Sequence, residues 1–248
     1  MLFLVPLFLL TALIYSSAGM GGGTTYIALL SIAGLPPNVT SSTGLVLNVV
    51  VVAVGLLNFR RGGHLKLRGF WPLFVSSVPA AYLGGRVALP SHLYFPMLAI
   101  LLVLLGILTV FRRQRADQEP VPITRTAFLG MFAIGAVLGL IAGVFGFGGG
   151  IVLAPILVQL DLADSKRAAA LSTVFILVNS ASGIMGRVIA GNFVTRNLLL
   201  LGIVVAAGGY FGSKLGATRL SRLAVQRIQG AVLTLAGLRL FLRTAFGF

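Results

Sequence analysis

Residues 19–23 read GMGGG and residues 146–150 read GFGGG. Each motif interrupts an apolar stretch, at 2–35 and at 126–160, and contiguous glycines weaken a helix by about 1 kcal/mol per residue. Both stretches are therefore read as helix pairs broken in the middle. The displacement of 127 residues continues almost unchanged beyond the glycines. Ser42-Thr43 answers Ser172-Thr173, Gly63 answers Gly191, Arg68 answers Arg196, and AYLGGR at 81–86 answers GYFGSK at 209–214, at displacements of 128 to 130. The chain reads as one unit written twice.

The setting of the repeat follows from composition. Of 248 residues, 58% are hydrophobic and only 9% charged, with a mean hydropathy of +1.05. So few charged side chains do not cover a soluble surface, whereas a face turned to lipid needs none. Crossing hydrocarbon takes about 20 apolar residues, which gives six spans at 38–59, 69–89, 92–111, 167–186, 197–215 and 223–242. The first repeat is residues 1–111, and the second is 126–248. Between them RRQRADQEPVPITR at 112–125, with two prolines and both charge signs, reads as a linker. No charged side chain precedes Arg60, so the first apolar run lacks the basic start of a secretory signal and is read as part of the mature protein. The expected fold class is an all-α integral membrane protein, an inverted repeat of two halves, each a glycine-broken helix pair plus three transmembrane helices.

Inversion is read from the charges. Nineteen Lys and Arg stand against four acids, and in a membrane protein that excess is a topology signal before it is a nucleic-acid signal, because basic residues beside spans favour the cytoplasm. With the halves in opposite orientations 14 basic residues lie inside, and Arg86, Arg187, Arg196, Arg239 and Arg243 lie outside; a parallel repeat leaves only 12 inside. The linker is then cytoplasmic, and each broken pair makes no net crossing.

Inverted halves with broken helices in matching positions are the architecture of secondary transporters, whose substrates bind near the midplane at the repeat interface. A helix that starts inside the membrane presents free N–H groups and a positive dipole end, which suit the oxygens of a carboxylate, sulfonate or phosphate. Glycine lets such a ligand approach the backbone. Gly21, Gly22 and Gly23 with Thr24, and Gly148, Gly149 and Gly150, are the expected substrate-binding backbone. The glycines spaced by four, Gly135–Gly139–Gly143 and Gly208–Gly212–Gly216, are assigned to close helix packing. Neither triplet fits the dinucleotide fingerprint GxGxxG.

The halves GMGGGTTYIALLSIAGLPPNVTSSTGLVLN and GVFGFGGGIVLAPILVQLDLADSKRAAALSTVFILVN resemble the sulfite exporter TauE/SafE family, also called the four-toluene-sulfonate uptake permease family. The resemblance covers nearly the whole chain. It implies transport of small sulfur-containing or organic anions, such as sulfite, sulfoacetate or other sulfonates, in many members outward across a bacterial inner membrane.

Polar groups inside spans are costly and point to function. Ser42, Thr43 and Asn48 are paired with Ser172, Thr173 and Asn179 as uncharged hydrogen-bond donors to an anion. Serine and threonine can also bond their own helix, whereas a single helix does not easily satisfy both ends of an asparagine amide. Arg86 and Lys214 occupy equivalent repeat positions and either attract anions or snorkel to the interface. Trp71 and Tyr94 are read as interfacial anchors. No span holds an acid, since Asp117 and Glu119 fall in the linker and Asp161 and Asp164 in a short loop; this speaks against a buried carboxylate relay. Cysteine is absent and no HExxH motif occurs, so no metal, cofactor or catalytic set is expected, and an intramembrane enzyme is disfavoured. An anion channel and an accessory membrane subunit stay open as alternatives. The expected partners are a small anion and the lipid bilayer, with no nucleic acid and with homo-oligomerisation left open.

Overall fold

The computed structural model describes residues 4–17, 21–61, 67, 69–111, 124–195, 198–215 and 222–246. Gly19, Gly63, Arg68, Arg196 and most of the 112–125 linker lie outside them, as do the side chains of Arg60, Arg61 and Lys214. Ten helices and no strand are present among the described residues. The first five are α1 (Leu4–Ser17), α2 (Gly23–Ile32), α3 (Pro37–Arg61), α4 (Trp71–Arg86) and α5 (Ser91–Val110). The second five are α6 (Arg125–Phe145), α7 (Gly150–Gln159), α8 (Ser165–Ile189), α9 (Leu198–Leu215) and α10 (Arg222–Phe246). The chain is thus an all-α protein of apolar helices.

Local chemistry sets the boundaries. Prolines stand at the start of α3, α4 and α5 (Pro37, Pro72 and Pro90), where a missing N–H costs nothing. Thr124 caps α6 by accepting Ala127 N at 3.2 Å. Asp164 caps α8 by accepting Lys166 N at 2.9 Å and Arg167 N at 2.8 Å, which gives one of the four acids a structural purpose. The half-helices α2 and α7 have ten residues each, about 15 Å of rise, or half of the roughly 30 Å hydrocarbon core. Of the described helices, Ser91–Val110, Arg125–Phe145 and Lys166–Ile189 are long and apolar enough to cross a membrane.

Small residues govern the packing. Gly135, Gly139 and Gly143 seat α6 against the α4 backbone at Leu73, Ser77 and Ala81, with the two helices running in the same direction. Gly208 and Gly212 do the same for α9 on α1, at Leu9 and Leu13. At each of these sites a methyl group would strike a main-chain carbonyl, so the glycines let backbones touch, as membrane helix interfaces require. α5 and α10 run antiparallel, with Gly106 beside Gly230 and Thr234, and Gly237 beside Ala99 and Val103. Partner choice is shared between the halves: α4 packs on α6 and α8, as α9 packs on α1 and α3. Leu108, Phe111, Leu129, Leu199 and Leu235 remain exposed on the outside, which suits contact with acyl chains.

Candidate functional site

The second break is built first by its backbone. Gly146 ends α6 at φ 87, its N–H returning to Ala142 O at 2.8 Å, and Gly149 starts α7 at φ 76. Both angles lie in the left-handed region that only glycine enters freely. The first break differs, since Gly22 precedes α2 at φ −85. Space rather than backbone angle demands glycine there: a methyl group on Gly22 would stand 2.7 Å from Tyr26 Cζ and 3.0 Å from Thr11 Cγ2.

An α-helix that ends in an apolar interior leaves carbonyls that need donors. In α6 they are supplied by three other helices. Arg187 of α8 donates from Nη2 to Gly143 O at 2.9 Å and Val144 O at 2.7 Å. Tyr94 of α5 donates its hydroxyl hydrogen to Phe145 O at 3.2 Å, and Asn48 of α3 donates from Nδ2 to Gly146 O at 3.4 Å. Sequence reasoning placed Arg187 among the outward topology charges and Tyr94 at the interface. The structure moves Tyr94 from the interface to the interior at 1% exposed, and it buries Arg187 to 2% exposed; both turn to the C-terminal end of α6, because that is where unpaired carbonyls are. Trp71 does stay exposed, edge-on to Phe128. We expect Arg187→Met to destabilise the protein by about 2–4 kcal/mol, because it strips the donor from two buried carbonyls. A thermal melt of purified protein in detergent checks this, and an unchanged midpoint counts against the cap.

Asn48 is where the two breaks meet. A methyl group on Gly23 would overlap its amide, and one on Gly148 would stand 3.0 Å from its Nδ2, 3.2 Å from Ser180 Oγ and 2.7 Å from Ile176 Cγ2. One on Gly21 would stand 3.8 Å from Asn48 Oδ1 and 3.5 Å from Ile176 Cδ1, and Ile176 also presses on Gly150. Two motifs 127 residues apart in sequence are therefore separated by little more than one side-chain amide. The first bonded amide of α2 is Tyr26 N, on Gly22 O at 3.0 Å, so the N–H groups of Gly23, Thr24 and Thr25 stand ahead of the ladder, as at any helix start. Gly22 offers no side chain to cap them. Thr24 Oγ1, Asn48 Oδ1 and Ser180 Oγ are all buried without a hydrogen-bond partner.

The other expected site residues are more scattered. Ser42 Oγ donates to Asn192 O at 3.5 Å in the loop after α8, and Thr173 Oγ1 bonds its own helix at Ala169 O, 2.8 Å away. Thr43 Oγ1 and Ser172 Oγ are buried and unpartnered. Asn179 donates from Nδ2 to Phe175 O of its own helix at 2.8 Å, with its Oδ1 left over. Ile176, not Asn179, takes the place against Gly150 that Asn48 takes against Gly23. Arg86 is exposed at the end of α4, 5.8 Å over the Tyr82 ring. Ser180 was absent from the sequence reading; its only sequence signal is its place beside Asn179.

Apolar helices with lipid-suited outer faces, packed around two helix breaks that meet at Asn48, mark a helical membrane protein. The sequence profile described as Sulfite exporter TauE/SafE matches residues 4–240, and the chain belongs to that family. It is 33% identical over 234 residues to "Probable membrane transporter protein y4hK" of Sinorhizobium fredii (strain NBRC 101917 / NGR234), covering 94% of this chain and 95% of that protein. It is 25% identical over 274 residues to "Probable membrane transporter protein YunE" of Bacillus subtilis (strain 168), covering 98% of each. No solved structure matches the chain.

Proposed function

We propose that this protein is a multi-pass secondary transporter of the bacterial inner membrane, exporting small sulfur-containing or organic anions such as sulfite, sulfoacetate or other sulfonates. The observation that carries the reading is the convergence of both glycine breaks on Asn48, beside the uncapped start of α2. That start supplies N–H donors and positive dipole potential, with no acidic side chain in the described helices to compete, the conditions under which an anion binds backbone. The repeat supports the mechanism. Counterpart helices α5 and α10 lie antiparallel, as halves inserted in opposite senses would, and Asn48 bonds the break of the other half. Rocking of one half against the other would remake that contact and alternate the exposure of the site. Export needs no coupled ion in this scheme: a potential of 100 mV, inside negative, favours departure of a monoanion by about 2.3 kcal/mol.

The test is flux of sulfite and sulfoacetate into proteoliposomes under an imposed potential of either sign, without a sodium or pH gradient. Saturable flux that reverses with the potential is the expected result. Flux that appears only after sodium or a pH gradient is added would overturn the uncoupled mechanism. Non-saturating flux would favour a channel, which the same helix ends could also serve.

A further inference from the structure

Asn48 is 1% exposed, and its two amide ends meet opposite fates. Nδ2 is committed to Gly146 O, whereas Oδ1 has no donor. The orientation follows from the neighbour: turning the amide over would set Oδ1 against the Gly146 carbonyl, pairing acceptor with acceptor. The amide lies against Gly23 at the start of α2, with the unused Oδ1 as the atom nearest to that glycine. Across Gly148 sits Ser180 Oγ, fully buried and also unpartnered.

These groups make contradictory demands on a simple oxyanion. The α2 backbone N–H groups favour a negatively charged oxygen, but the Asn48 carbonyl repels such an oxygen and accepts only from O–H or N–H. A ligand made of anionic oxygens alone leaves Oδ1 orphaned in a buried site. One that carries an anionic group and a hydroxyl or ammonium satisfies both ends at once. Resting on the anion-transport reading, we propose that the site selects small organic anions that bring their own hydrogen-bond donor, and that Asn48 Oδ1 is the specificity-determining acceptor for it. The Ser180 hydroxyl, which donates or accepts as required, completes the polar lining.

Isethionate (2-hydroxyethanesulfonate) and ethanesulfonate isolate the effect, since they share charge, sulfonate and carbon skeleton and differ by one hydroxyl. In proteoliposomes holding the full chain, kcat/KM for isethionate should exceed that for ethanesulfonate by about tenfold or more, as in sites that leave a buried polar group unpaired with the poorer ligand. Asn48→Leu should bring the ratio close to one. Equal rates for the two sulfonates in the wild-type protein overturn the proposal, and so does a preference that survives in Asn48→Leu. Thermal stabilisation of the detergent-purified wild-type protein by each sulfonate gives the same comparison without requiring flux or a variant. Equal stabilisation overturns the proposal, whereas a preference for isethionate in the melt with no flux of either compound supports the donor rule and refutes transport instead.

Discussion

Anion flux through a Gly149→Leu protein is expected to fall about a hundredfold or more, while the protein still inserts and purifies as a folded species. Gly149 sits at φ 76, where an L side chain costs about 1–2 kcal/mol. Its Cβ would also stand 2.9 Å from Phe175 Cε1 and 3.4 Å from Leu138 O. The ring yields only if the break shifts, and a shift carries Gly148 away from Asn48 and Ser180. Strain and displacement together reach about 3 kcal/mol, which at 1.36 kcal/mol per decade of rate is about a hundredfold. Gly22→Leu should have the same effect by another route. Its backbone angle suits any residue, but the side chain must push aside Tyr26 and Thr11 and take Tyr26 out of its stack on Phe8, whose ring centroid is 5.0 Å away. Gly202→Ala, with no atom within 4 Å of the new methyl group, is the control and should keep flux within about twofold, as surface substitutions usually do. Folded yield is followed by size-exclusion of a fluorescent fusion, and undiminished flux in both break variants would remove the breaks from the transport path.

Much of this architecture was legible because membrane sequences mark backbone behaviour with glycine. The triplets announced where α2 and α7 begin, and the glycines spaced by four announced which faces of α6 and α9 pack. Those signals are local: a missing side chain acts where it stands. Arg187, Tyr94 and Ser180 were not legible, because their roles depend on where another helix ends. A buried arginine is improbable in a span until the last carbonyls of α6 are placed beside it, and nothing near position 187 in the sequence says that they are. The pairing of Asn48 with Asn179 rests on residue type, one position off the Ser-Thr displacement of 130. In space the register is set instead by contact with the half-helix starts, which matches Asn48 with Ile176. The two breaks are therefore unequal in chemistry, with one amide at the junction rather than two.

The same distinction between local and tertiary information gives the second large effect. Leucine is a better helix former than glycine by roughly 1 kcal/mol, so propensity alone says that glycine to leucine anywhere along α6 should stabilise it. Gly130 and Gly143 lie on that one helix and should respond with opposite signs. At Gly130 nothing lies within 4 Å of an added Cβ, and Gly130→Leu should leave the melting midpoint unchanged or raise it. At Gly143 the Cβ would collide with Ala81 O and stand 2.8 Å from Gly85 N, both main-chain atoms of α4 that cannot rotate aside. Relief requires the whole of α4 to move off α6, which opens the contacts at Gly84 and Gly139 as well. It also displaces Gly143 O, one of the two carbonyls that hold the buried Arg187. Overpacking alone costs about 1–3 kcal/mol, and a buried guanidinium left partly unpaired adds a comparable amount. Gly143→Leu should accordingly lose most of its monodisperse yield and melt well below the wild type. Equal stability of the Gly130→Leu and Gly143→Leu proteins would mean that α4 and α6 do not touch backbone to backbone, and the cap on the end of α6 would lose its support with them.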